Sequence, residues 1–90
     1  MRFAHAPYSP RVAFGLQALA LAQRALARDL PPRVARELAP LEAAVGQLPR
    51  ADRDLAEPAL GAFRGRVAEA PEDAGRALRD FLLDWGVGRG

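Results

Sequence analysis

The apolar positions of this chain recur at intervals of three and four, the spacing of helices that turn one face inward. Between residues 10 and 30, Val12, Leu16, Leu19, Leu26 and Leu30 share a face, with Gln23 as the row's polar member. Phe14 and Leu21 lie seven apart and nearly opposite that row, beside a polar stripe of Gln17, Arg24 and Arg28. The first helix thus carries two apolar seams, of which the leucine row reads as the inner one. Val34, Leu38, Leu41, Val45 and Leu48 form a second row. Ala56, Leu60, Phe63, Val67 and Ala70 form a third, and Ala74, Leu78, Phe81, Leu82 and Trp85 a fourth. No stretch combines β-branched residues with strict alternation, so no sheet is expected.

Prolines punctuate these rows. Ser9 suits an N-cap with Pro10 at the first helical position. Pro31-Pro32 end the first helix, because the residue before a proline avoids helical geometry and proline has no backbone donor. Pro40 lies inside the second row and should kink or split that helix, at a cost of about 3 kcal/mol. Pro49-Arg50-Ala51-Asp52 reads as a turn, and Asp54 with Glu57 has the spacing of a capping box that would open the third helix. Gly61 and Gly65 weaken that helix by about 1 kcal/mol each relative to alanine. Pro71, Glu72 and Asp73 open the fourth, and Gly86 is a natural terminator.

The expected fold is therefore all-α, a small antiparallel four-helix bundle filling one domain over residues 1–90. Its helices are predicted at about 10–29, 32–48 kinked at Pro40, 54–69 and 71–85. Residues 1–9 read as an extended lead-in and residues 87–90 as a frayed tail.

Composition narrows the function more by exclusion than by suggestion. The chain has no Lys, Asn, Thr, Ile or Cys, a bias that fits a high-GC bacterial coding genome. The missing cysteines rule out a disulfide framework, a zinc knuckle and thiol chemistry. One Ser (Ser9) and one His (His5) offer no nucleophile held to its base by a third group, so no catalytic residue is assigned. No metal ligand set and no cofactor are expected either: Glu72, Asp73, Asp80 and Asp84 alternate with Arg76 and Arg79 as a solvated face. The apolar stretch Val12–Ala22 is too short to span a bilayer. Pro7 and Pro10 before it, and its alanine content, argue against a secretory signal, so a cytoplasmic protein without a membrane partner is expected.

Two binding functions remain. The leading expectation is a non-enzymatic interaction or oligomerisation module, regulatory or adaptor in kind, whose partner is another protein chain or a second copy in a homodimer. Its interface would be the extra seam of Phe14 and Leu21, with Gly61 and Gly65 inviting close backbone approach and Leu83 standing on a charged face. The alternative is contact with nucleic acid or an acidic partner through Arg24, Arg28, Arg33 and Arg36. The first half of the chain holds six arginines against three acids, and the second half seven against eight. Any basic surface should therefore lie in the first half.

Overall fold

The computed structural model describes residues 10–29 and 34–85; the lead-in, Leu30 to Arg33 and the tail lie outside the described residues. Pro10 does open α1 (Pro10–Leu26), where a missing backbone donor costs nothing. The helix ends a little before the expected boundary, in a Schellman turn. The Asp29 N–H bonds the Arg24 carbonyl at 2.8 Å and the Arg28 N–H bonds that of Ala25 at 3.1 Å. Arg28 takes the left-handed position of this motif, with φ 57°, where glycine is the usual occupant.

Helix α2 (Val34–Val45) ends before the predicted residue 48, and Pro40 does not split it; residues 32 and 33 lie outside the described residues. Proline removes one hydrogen bond, the one its N–H would give Arg36, and the remaining turns hold. The apolar row outlasts the helix. Three tight turns bring Leu48 into the core, each closing an N–H on the carbonyl three residues back.

Helix α3 (Arg50–Arg66) begins one turn earlier than predicted. The segment from Pro49 to Asp52 is its first turn, not a preceding loop: the Arg53 N–H reaches the Pro49 carbonyl at 2.9 Å. Asp54 and Glu57 therefore sit inside the helix and cap nothing, while Asp52 supplies the acid that suits the positive end of the helix dipole. Helix α4 (Pro71–Trp85) has the predicted bounds.

Each helix packs against the next, and α4 returns to α1, which gives its most extensive contact. The start of α1 meets the end of α4, where Arg11 reaches Trp85, and the end of α1 meets Gly75 near the start of α4. These two helices therefore run antiparallel. One core joins all four, with Phe14, Phe63, Leu38, Leu78 and Leu82 as its largest fully buried side chains. Among the described residues there is no strand.

The first helix overturns the sequence reading. Its core face is Phe14, Ala18, Leu21 and Ala25, a four-three-four row completed by two alanines, with Gly15 and Ala22 buried beside it. The leucine row is not the core face: Leu16 is 46% exposed, Val12, Leu19 and Leu26 are only half-buried, and Leu19 packs at the edge of the core. The physical reason lies in α4. A Cβ built on Gly75 would stand 2.7 Å from the Ala22 carbonyl oxygen and 2.9 Å from the Ala25 Cβ. Two helix backbones that close cannot admit leucines between them, so the small-residue face takes the contact.

Candidate functional site

Phe14 and Leu21, expected to face a partner, are buried inside the molecule at 1% and 5% exposure. The Phe14 ring meets Trp85 edge-on at 5.6 Å, and Phe81 stacks on the same indole at 5.8 Å. That seam is core, and no partner can use it without unfolding the bundle.

Gly61 and Gly65 behave in the opposite way. Among the described residues nothing lies within 4 Å of a Cβ added at either, so no described backbone packs closely on them. The glycine that does serve close packing is Gly75, which the sequence reading passed over. Leu83 is 52% exposed on the outside of α4, as its place among charged residues suggested.

Of the described arginines at the first inter-helix turn, two stand beside carboxylates. Arg24 donates to the Asp29 carbonyl at 3.1 Å and stands 4.0 Å from Glu37. Arg28 pairs with Glu72 across to α4 at 3.4 Å. Arg36 is exposed on α2, and Arg33 lies outside the described residues. Carboxylates thus neutralise two of the four locally, which lowers the potential a phosphate backbone would feel.

Two other arginines organise the bundle. The Arg11 guanidinium lies over the Trp85 ring at 4.3 Å, donates to the Trp85 carbonyl and reaches Asp52 at 3.4 Å. It thereby ties the starts of α1 and α3 to the end of α4. Arg64 forks onto Glu42 with bonds of 2.9 and 2.7 Å, and this hydrogen bonding raises its pKa above the ordinary guanidinium value.

Among the described residues, no three of His, Cys, Asp and Glu come close enough to hold a metal. His5 and Ser9 lie outside the described residues. Among the described residues, no helix is long and apolar enough to cross a membrane. The grooves are shallow. One of about 200 Å³ between α3 and α4 is floored by Phe63, Leu78 and Phe81. Another of about 250 Å³ between α1 and α2 is edged by Gln17, Ala20, Pro40 and Leu41.

What distinguishes this molecule is the outer face of α1. At 100° per residue, Ala13, Leu16, Ala20, Gln23 and Ala27 line the side opposite the core, spaced three-four-three-four. None is charged. Of the two charged residues in α1, Arg11 reaches Trp85 and Asp52, while Arg24 lies on the α2 side beside Glu37. The other helices show solvent a charged face: Arg36 on α2, Asp54 on α3, and Asp73, Arg76, Asp80 and Asp84 on α4. No known protein family matches this chain, and no curated protein or solved structure does.

Proposed function

We propose that the protein is a non-enzymatic helical interaction module whose docking surface is the outer face of α1. One observation carries this reading. In a chain where about a quarter of residues are charged, α1 shows solvent a charge-free strip with a half-exposed leucine, Leu16, within it. Exposed helix faces are ordinarily dressed with charge, and a sustained uncharged row at heptad-like spacing is the pattern of a helix that receives another. Pro40 stands at the edge of the α1/α2 groove, which Ala20 of the strip also lines.

The interface thus moves from Phe14 and Leu21 to the face on their far side, while the class of function stays the same. Photo-crosslinking in the native host tests it. A photoreactive residue at position 16 is expected to trap a protein adduct, and one at position 55, where Leu55 is even more exposed on α3, is not. Equal adducts from both positions, or none from position 16, would contradict the reading.

A further inference from the structure

We infer that α2 is a releasable strap: it undocks and unfolds as a unit while α1, α3 and α4 stay packed. The principal helix contacts are unequal. Helix α4 makes the two more extensive ones, with α1 and with α3, and α2 makes the two thinner ones with the same two helices. The features that hold α1 to α4 leave α2 out. They are the Trp85 cluster with Phe14, Phe81 and Arg11, and the close approach of Gly75 to Ala22. Phe63 and Leu78 meet likewise at the α3/α4 groove.

The polar ties of α2 to its neighbours are weak. Glu37 stands 4.0 Å from Arg24 of α1, and Glu42 takes the fork of Arg64 from α3. All four side chains are exposed, where such pairs contribute little. Pro40 further deprives the helix of one internal bond. A 12-residue helix is marginal in water once its packing is gone, so undocking and unfolding are one event.

The chain path permits this. Arg11 reaches Asp52, so α1 and α3 start at the same end of the bundle and run parallel. The link from the far end of α1 back to the start of α3 must cover about 25 Å, the length of a 17-residue helix. Helix α1 ends at Leu26 and α3 begins at Arg50, which leaves 23 residues between them. Extended, they span about 75 Å, so α2 can come undone without pulling on the other three helices. Release uncovers Leu21 of α1, which shares a groove with Leu41, and Leu60 of α3, which shares one with Val45. The bundle thus stores an apolar groove beneath one detachable helix.

Native-state hydrogen exchange of the full chain, followed by mass spectrometry in urea below the unfolding transition, tests this. Amides of α2 should exchange at least about tenfold faster than those in the middle of α4, with a shallower dependence on urea, because less surface opens. Arg11→Met supplies the second arm. It should speed exchange in α1 and α4 about tenfold, because those helices open only with the whole bundle. Exchange in α2 should stay within about twofold, since the Arg11 contacts survive its release. One shared rate and urea slope for all four helices would overturn the inference. So would α3 opening together with α2, or α2 speeding up as much as α4 in Arg11→Met.

Discussion

The two faces of α1 differ in a way that residue size alone would have predicted backwards. The inner face is built largely of Ala18, Ala22, Ala25 and Gly15, with Phe14 and Leu21 as its two large members. The outer side holds Leu16 among alanines and a glutamine, and Leu19 and Leu26 lie half-buried between the two. Apolar content is similar on both, so hydrophobicity does not decide which side is buried. Distance does. Helix backbones that approach as closely as α1 and α4 gain dispersion contacts along their whole length, and only small side chains permit that approach. On the opposite side Leu16 stays exposed.

Perturbing the inner face should therefore cost most. Phe14→Ala removes a fully buried ring that touches Trp85, and a loss of about 3–5 kcal/mol is expected by chemical denaturation. Gly75→Ala tests the close approach itself. The added methyl would meet α1 backbone at 2.7 Å, so a loss of about 1–3 kcal/mol is expected from a substitution that normally strengthens helices.

At the end of the same contact, Arg11→Met keeps the aliphatic stem but discards the guanidinium. It should cost about 1–2 kcal/mol through the lost cation–π contact and the unsatisfied end of α4. The change should also reduce hydrogen-exchange protection in the last turn of α4. Gly61→Ala and Gly65→Ala give the smallest effect and the opposite sign. With open space at both sites, each should stabilise by about 0.5–1 kcal/mol in thermal melts. A loss at these positions would show that α3 needs its glycines.

The comparison also explains what could be read from the sequence. The rows in α2, α3 and α4 pointed correctly because each alternates large apolar residues with charge, leaving one orientation. Leu38, Leu41, Val45 and Leu48 are all buried, as are Leu60, Phe63 and Val67. The fourth helix was legible at both ends, from Pro71 to Trp85. In α1 an almost uncharged helix offered no polar side to fix its rotation, and alanines at positions 18, 22 and 25 could serve either face. Only the partner helix, through Gly75, resolved it. The start of α3 was misplaced for a related reason: Asp54 and Glu57 imitate a capping box, while the true start relies on Pro49 with no side-chain cap. The exposure of Leu16 was hidden by the same ambiguity, since the leucine row was read as the inner one.

The most direct test of this division applies one substitution to both faces. Leu21 is 5% exposed and Leu16 46% exposed on the same helix, so Leu→Ala removes identical atoms from opposite sides. Measured by urea unfolding, Leu21→Ala should lose about 2–5 kcal/mol. Leu16→Ala should stay within about 0.5 kcal/mol of wild type. Equal losses from the two variants, or a larger loss from Leu16→Ala, would contradict the assignment of the α1 faces.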